Sequence, residues 1–243
     1  MPATPLFCFP FAGAGPSFYH SWSRLGVEGL EVRPVQLAGR ERLVDEPAFT
    51  DLHAAADALA AQVLSASGGE PTALFGHCFM GCVLAFEVAL RLTERDDRAV
   101  RHLFVSASRP PAEQRRIGAA SMSDDDFVAM VKSSTGYEHP ALDIPEMREM
   151  LLPTLRADFA MDESYAPRGN RPISAPITAI VAADDPLATR EQVSRWAAYT
   201  SGAFDLAQVA GAHMYLASDP IPLLEMIVKT LSAPAGSAHE ATR

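Results

Sequence analysis

Short apolar runs alternate with amphipathic stretches along most of the 243 residues. Alternating strands and helices build a mostly parallel sheet with helices on its faces. The sequence therefore predicts an α/β fold, and a hydrophobic content of 48% suits a single domain over residues 1–243 with a large core. The predicted strands cover residues 6–11, 30–37, 71–77, 102–108, 176–183 and 204–210, and the clearest helices cover 51–66, 80–92, 190–200 and 219–232.

The alternation stops after Pro110 and resumes only at residue 176. Within this gap, SDDDFVAMVKSS begins with a serine and three aspartates, which is a strong helix start. The stretch EMREMLLPTLRADFAMDESY predicts one or two further helices, with Pro153 as the dividing residue. We therefore expect a helical lid insertion at about residues 112–170. The polar tail at about residues 233–243 is predicted to be disordered.

Charge and composition argue against several classes of protein. The formal net charge of −10 is unlike that of a nucleic-acid-binding protein, which concentrates positive charge. No apolar run reaches the roughly 20 residues that cross a bilayer, and the first residues lack a basic leader, so a cytoplasmic protein is expected. The three cysteines show no metal-ligand spacing, and neither a metal site nor a disulfide framework is predicted. Cys8 and Cys82 are expected to pack as small buried apolar residues.

A candidate nucleophile lies between the third strand and the helix that follows it. Residues 76–81 read GHCFMG, close to the G-x-S-x-G turn that exposes the nucleophile of an α/β-hydrolase. Here Cys78 replaces the serine, and one extra residue separates it from the second glycine. Because the turn follows an apolar strand and opens an apolar helix, we interpret Cys78 as the nucleophile and the fold as an α/β-hydrolase fold.

The partners of such a nucleophile follow it in the chain as an acid and then a histidine. Two aspartates come directly after the strand at 176–183, and His213 comes directly after the last strand. Both positions are carboxyl ends of strands, where sites in parallel sheets gather. We predict Asp185 as the acid and His213 as the base, with Asp184 as a solvated carboxylate or turn cap. His77 is expected to pack against or support the turn.

The predicted chemistry is attack by a cysteine thiolate on an acyl group. A neighbouring imidazole and a helix N-terminus both favour the thiolate form of a cysteine, and Cys78 would have both. The oxyanion that forms needs two backbone N–H donors. We predict Phe79, directly after the nucleophile, and Ala12 or Phe11 in the loop after the first strand, where glycines 13 and 15 allow a close turn.

The chain resembles the stand-alone type II thioesterases of polyketide and nonribosomal peptide assembly lines, from about residue 5 to residue 232. The resemblance implies an α/β-hydrolase fold, a helical lid and substrates presented as acyl thioesters on phosphopantetheinyl carrier proteins. It also implies the triad Cys78, Asp185 and His213. It rests on the motifs FCFPFAGAG, PVQLAGRE, ALFGHCFMG, HLFVSASRPP, LLPTLRADFAMDESY, ADDP followed by Trp196, and GAHMYLAS.

Two departures from the family elbow GHSMG leave the reaction open. A serine nucleophile yields an oxygen ester, whereas Cys78 yields another thioester that stays electrophilic toward amines, thiols and stabilised carbanions. The leading hypothesis is hydrolytic release of acyl groups from carrier proteins. The alternatives are an acyl-Cys transferase or cyclase, including a Dieckmann-like one, and a non-catalytic carrier-binding module in which Cys78 is inert.

The acyl chain is expected to lie against apolar side chains near the nucleophile and in the lid. Methionines adapt to chains of varied shape, although the same residues could simply pack the lid onto the core. No cofactor is expected beyond the phosphopantetheine that the carrier protein brings, and the protein is expected to be a monomer. The predicted substrate-binding residues are Phe11, Met80, Met130, Phe159 and Met214.

Overall fold

The computed structural model describes residues 3–113, 116–135, 140–169 and 171–233. The predicted tail therefore lies outside the described residues, apart from residue 233. The strands are β1 Thr4–Cys8, β2 Leu30–Pro34, β3 Thr72–His77, β4 Val100–Ser106, β5 Ile177–Ala182 and β6 Phe204–Val209. The helices are α1 Pro16–Ser23, α2 Leu52–Ser67, α3 Cys78–Thr93, α4 Asp124–Thr135, α5 Pro145–Ser164, α6 Arg190–Ser194, α7 Tyr215–Ser218 and α8 Ile221–Ser232.

The six strands form one sheet in the order β2-β1-β3-β4-β5-β6, and each neighbouring pair is parallel. The prediction of a mostly parallel sheet is therefore confirmed. β1 and β2 end earlier than predicted, at Cys8 and Pro34. Pro34 and Pro10, which lies two residues after Cys8, have no N–H to donate to the ladder. Parallel strands bring their carboxyl ends to one edge, so the loops after β1, β3, β5 and β6 meet there.

α3 is the central helix, as its apolar sequence predicts. Its residues Phe79–Ala89 are all buried, because the helix packs between the sheet and α2. α2 begins where the Asp51 side chain accepts a hydrogen bond from the N–H of Ala54 (2.7 Å). It ends at Gly68, which has a positive φ of 63° that suits glycine.

The segment between β4 and β5 contains α4 and α5 and carries its own apolar cluster. The fully buried Phe127 of α4 packs edge-on against Phe159 of α5, with 5.1 Å between ring centroids. α5 continues through Pro153 without dividing. Pro153 lies on the exposed face, where solvent can hydrogen-bond the carbonyl that the missing N–H leaves free. No helix among the described residues is both long and apolar enough to cross a membrane.

Candidate active site

The turn between β3 and α3 has the strained geometry that exposes a nucleophile. β3 ends at His77, and Cys78 is the first residue of α3 with a φ of +58°. A non-glycine residue rarely adopts this left-handed conformation, and the strain costs about 1–3 kcal/mol. The Cys78 side chain is partly exposed, unlike those of the buried Cys8 and Cys82. The structure therefore presents Cys78 at the carboxyl edge of the sheet and leaves the other two cysteines in the core.

Gly76 allows this turn because backbone fills the space where a Cβ would stand. A Cβ there would lie 2.6 Å from the Cα of Cys82 and closer still to the carbonyl oxygen of Gly81. We expect Gly76→Ala to lower the free energy of unfolding by about 1–3 kcal/mol, measured by urea denaturation, because neither backbone contact can move freely. Gly81→Ala is the matched comparison: its added Cβ meets its nearest atom at 3.3 Å, so its cost should be smaller. Equal costs for the two variants would contradict this steric argument.

His213 and Asp185 meet at the ends of β6 and β5. Nδ1 of His213 lies 2.9 Å from Oδ2 of Asp185, and both side chains are almost fully buried. The other carboxylate oxygen, Oδ1, accepts a hydrogen bond from the backbone N–H of Leu187 (2.7 Å). These two bonds fix the carboxylate, which in turn fixes the imidazole ring with Nε2 turned away from it. Asp184 is exposed and makes no contact of this kind with the histidine among the described residues.

The Nε2 atom of His213 is buried, on the side of the ring away from Asp185. Burial by itself lowers the pKa of His213, because it disfavours the charged ring. The electrostatic influence of Cys78, together with hydrogen bonding to Asp185 and to Cys78, nevertheless raises the pKa of His213 to about 10. The thiol of Cys78 is thus a close electrostatic partner of the ring. An imidazolium beside a cysteine sulfur is the arrangement that activates a cysteine nucleophile.

The protonation state of His213 provides a test of this pair. Because the pKa of the ring is raised, the wild-type imidazolium should persist through neutral pH and be lost only near pH 10. In Cys78→Ala the burial remains while the influence of the thiolate disappears, so the pKa should fall toward the ordinary value of about 6.5. NMR titration of the His213 ring in both proteins measures the difference. A wild-type ring that is already neutral at pH 8 would contradict the ion pair.

His77 supports the turn through a polar chain that the sequence did not reveal. Its Nδ1 lies 3.1 Å from the hydroxyl of Ser106, which lies 2.8 Å from the hydroxyl of Tyr215. His77 is fully buried, and burial, with His213 adding to it, lowers its pKa well below the usual value. The ring is therefore neutral, at 5.1 Å from the ring of His213. Ser106 is the last residue of β4 and Tyr215 is the first residue of α7, and hydroxyl groups at such positions carry no distinctive sequence signal.

The predicted oxyanion donors lie in the turn after β3 and in the loop after β1. Phe79 is the second residue of α3, so its N–H has no acceptor within the helix. Ala12 lies in the loop after β1, and no described residue accepts a hydrogen bond from its N–H. The N–H of Gly13 is already bound to Asp158 (2.8 Å). The N–H of Ala12 is thus uncommitted, unlike that of Gly13, and the ring of Phe11 packs against His77, with 5.7 Å between centroids.

The predicted substrate-binding residues fall into three places in the structure. Phe11 and Met214 pack in the apolar cluster that also contacts Cys78. Met130 and Phe159 pack in the cluster between α4 and α5, which also contacts Ala12. Met80 is 1% exposed in the main core. Four of the five side chains therefore lie in the two smaller clusters, whereas Met80 packs in the main core.

The site holds one acid–base pair and one thiol. No group of three or more histidine, cysteine, aspartate or glutamate side chains with a metal-binding arrangement occurs among the described residues. Cys78 follows β3, Asp185 follows β5 and His213 follows β6, so the candidate nucleophile, acid and base occur in that order along the chain. Such a set supports attack on an acyl carbon with a covalent intermediate.

Comparison with known proteins adds the family context to this geometry. A family model described as Thioesterase domain matches residues 4–233. The chain is 37% identical over 214 residues to a probable cadicidin biosynthesis thioesterase of Streptomyces griseus, covering 88% of this chain and 58% of that relative. It is 31% identical to the gramicidin S biosynthesis protein GrsT of Aneurinibacillus migulanus, covering 93% of this chain and 88% of the relative.

A solved structure matches the fold equally well. The type II thioesterase BorB from the borrelidin biosynthetic cluster superposes with a TM-score of 0.83 at 34% identity, covering 95% of this chain and 93% of that one. The parallel sheet flanked by helices is thus the α/β-hydrolase architecture of thioesterase structures, as predicted.

Proposed function

The chain belongs to the thioesterase domain family, and from this premise we propose that it releases acyl groups from the phosphopantetheine arms of carrier proteins through an acyl-Cys78 intermediate. Family membership and thioesterase relatives make it a thioester hydrolase. The relatives named above serve cadicidin, gramicidin S and borrelidin biosynthesis, which supports a role beside a nonribosomal peptide or polyketide assembly line. The observation that carries the proposal is the strained Cys78 beside the His213–Asp185 pair.

The first half of the proposed reaction transfers the acyl group to the enzyme. The Cys78 thiolate attacks the thioester carbon, and a new carbon–sulfur bond forms while the carbonyl oxygen becomes an oxyanion. The N–H groups of Ala12 and Phe79 bind that oxygen. The bond to the phosphopantetheine sulfur then breaks, and His213 gives its proton to the departing thiolate. The products are the acyl-Cys78 enzyme, a neutral His213 and the free thiol of the carrier.

The second half restores the enzyme with water. Acylation removes the negative charge of Cys78, and with it the largest influence that raises the pKa of His213. The neutral ring can then accept a proton at Nε2 from an attacking water while Asp185 binds Nδ1. Collapse of the second tetrahedral intermediate breaks the bond to Cys78, releases the carboxylic acid and regenerates the thiolate–imidazolium pair. The same loss of charge that follows acylation thus prepares the base for hydrolysis.

A second candidate function is acyl transfer to an acceptor other than water. The observation that favours it is Cys78 itself, because an acyl-cysteine retains the reactivity of the thioester that formed it. An amine, a thiol or a carbanion within the substrate could then replace water and form an amide, a new thioester or a ring. The two functions share the acyl-Cys78 intermediate and differ only in the second nucleophile.

Intact-protein mass spectrometry with acyl-loaded carrier protein in ¹⁸O-labelled water distinguishes these functions. Hydrolysis predicts a transient acyl adduct on the enzyme and a free acid that carries one ¹⁸O atom. An adduct that accumulates without free acid, and disappears on addition of an amine or thiol, would favour transfer. Absence of both adduct and product with every acyl chain tested would favour a non-catalytic carrier-binding module.

A further inference from the structure

A buried ion pair holds the loop that contains the proposed oxyanion donor. Asp158 lies on α5 and Arg40 lies in the loop after β2; they are 1% and 8% exposed. The Arg40 guanidinium binds the carboxylate with both terminal nitrogens, at 3.0 Å to Oδ2 and 2.5 Å to Oδ1. Such a two-pronged pair fixes direction as well as distance. The pair therefore links the helical insertion to the loops at the carboxyl edge of the sheet.

Each partner also binds the turn formed by residues 11–14. Oδ2 of Asp158 accepts the hydrogen bond from the N–H of Gly13 (2.8 Å), and Arg40 donates to the carbonyl oxygen of Ala14 (2.7 Å). Within the turn, the N–H of Ala14 donates to the carbonyl oxygen of Phe11 (2.9 Å). Gly13 is the third residue of this turn and has a φ of +79°. A positive φ at this position is characteristic of a type II turn and favours glycine.

These contacts determine where the N–H of Ala12 points. That N–H and the carbonyl of Phe11 belong to the same planar peptide unit and point in opposite directions. Because the carbonyl is bound inside the turn, the N–H is directed outward. The hydrogen bond from the N–H of Gly13 to Asp158 fixes the next peptide unit as well. While the ion pair is intact, the peptide units of the turn are therefore held against rotation.

The same face of α5 contacts both loops at further points. The Thr154 hydroxyl donates to the carbonyl oxygen of Gly39 (2.8 Å), which stands next to Arg40. A Cβ added to Gly13 would lie 2.9 Å from Leu155, so this helix packs directly on the turn. The conformation of the turn therefore depends on the position of α5.

We propose that Arg40 and Asp158 are positioning residues that orient the N–H of Ala12, so that the oxyanion hole is complete only when α5 is seated on the loop. The proposal rests on the proposed function, which assigns Ala12 as an oxyanion donor. General stabilisation is a weaker explanation for the pair, since the desolvation of two charges consumes most of the energy that their attraction supplies. Directional control of the turn accounts for the two extra bonds to Gly13 and Ala14.

Two reactions of the same thiol test the proposal in Asp158→Asn. Acylation of Cys78 by a small acyl-N-acetylcysteamine thioester forms an oxyanion, whereas alkylation by iodoacetamide does not. We expect the acylation rate to fall about tenfold to a hundredfold with little change in KM, and the alkylation rate to stay within about twofold of wild type. Asp124→Asn is the matched control. Asp124 lies on α4 and pairs with Arg156, which lies on α5 as Asp158 does, but Asp124 does not contact the loop. This control should leave both rates unchanged.

Other outcomes overturn the proposal. Acylation at the wild-type rate in Asp158→Asn, or an equal loss of acylation and alkylation, would show that the pair does not position the loop. If Asp158→Asn does not fold, Arg40→Lys keeps a charge beside Asp158 but loses the two-pronged geometry, and it must show the same selective loss of acylation. If wild-type Cys78 is never acylated, the proposed function fails. The NMR amide signals of Ala12 and Gly13 then decide separately whether the pair orders the turn: unchanged signals in the variant refute it.

Discussion

Replacing Cys78 with alanine is expected to abolish the acyl adduct and lower kcat/KM for carrier-bound thioesters by about 10⁴-fold or more. In the proposed reaction Cys78 supplies the atom that carries the acyl group, and no other described thiol is exposed at this place, because Cys8 and Cys82 are buried. The variant should keep the fold, because alanine only shortens a partly exposed side chain and leaves the backbone of the turn unchanged. Intact-protein mass spectrometry and a thiol-release assay with acyl-loaded carrier measure both effects.

Cys82→Ala is the matched control for this prediction. Cys82 lies four residues further along α3, and its sulfur is 3.4 Å from the carbonyl oxygen of Ser106. Burial raises the pKa of the Cys82 thiol, which keeps it protonated and unreactive. This variant should keep the adduct and most of the activity. A Cys78→Ala protein that still forms an adduct, or still hydrolyses thioesters at a wild-type rate, would remove Cys78 as the nucleophile.

Local sequence patterns were sufficient for the fold and for the strand ends at which the three proposed catalytic residues lie. Apolar runs predicted the six strands, and the turns after them contained Cys78, Asp185 and His213 in the expected order. Choosing Asp185 over Asp184 was possible because it directly precedes Pro186 in the strand–loop pattern. The structure places Asp185 against His213 and leaves Asp184 in solvent.

The long-range polar contacts could not be predicted in the same way. Arg40 and Asp158 are 118 positions apart in the chain, and each stands in a segment that the sequence assigned only to a loop or to a lid helix. An arginine or an aspartate is normally solvated, so neither residue indicates burial by itself. The pairing depends on how α5 packs over the loops, which is a property of the tertiary structure.

The extra residue in the elbow is absorbed at the start of α3. Cys78 keeps the left-handed φ of a nucleophile, and the following residues enter a regular helix. Gly81, displaced by one position from the family pattern, still faces the backbone of the oxyanion loop, with a virtual Cβ 3.3 Å from the carbonyl oxygen of Pro10. Met80, one of the two residues between Cys78 and Gly81, is buried in the core. The sequence GHCFMG therefore still forms the strained turn that presents Cys78.

Replacing Asp185 with asparagine is expected to lower kcat by about 10²- to 10⁴-fold while leaving KM nearly unchanged. The carboxylate accepts a hydrogen bond from the Nδ1–H of His213 (2.9 Å) and stabilises the imidazolium. The amide of asparagine can instead turn its NH₂ group toward the ring, which favours the wrong tautomer of the histidine. Loss of the negative charge also removes one of the influences that raise the pKa of His213, so the ring should become neutral at a lower pH.

The control for this variant is Asp184→Asn, which removes the adjacent, exposed carboxylate. It should keep the wild-type kcat, because Asp184 does not contact His213 in the structure. The two measurements separate the local charge of the loop from the specific bond to the histidine: a general electrostatic effect would lower kcat in both variants, whereas orientation of the base lowers it only in Asp185→Asn. Similar losses in both variants would show that the Asp185–His213 bond is not what makes His213 an effective base.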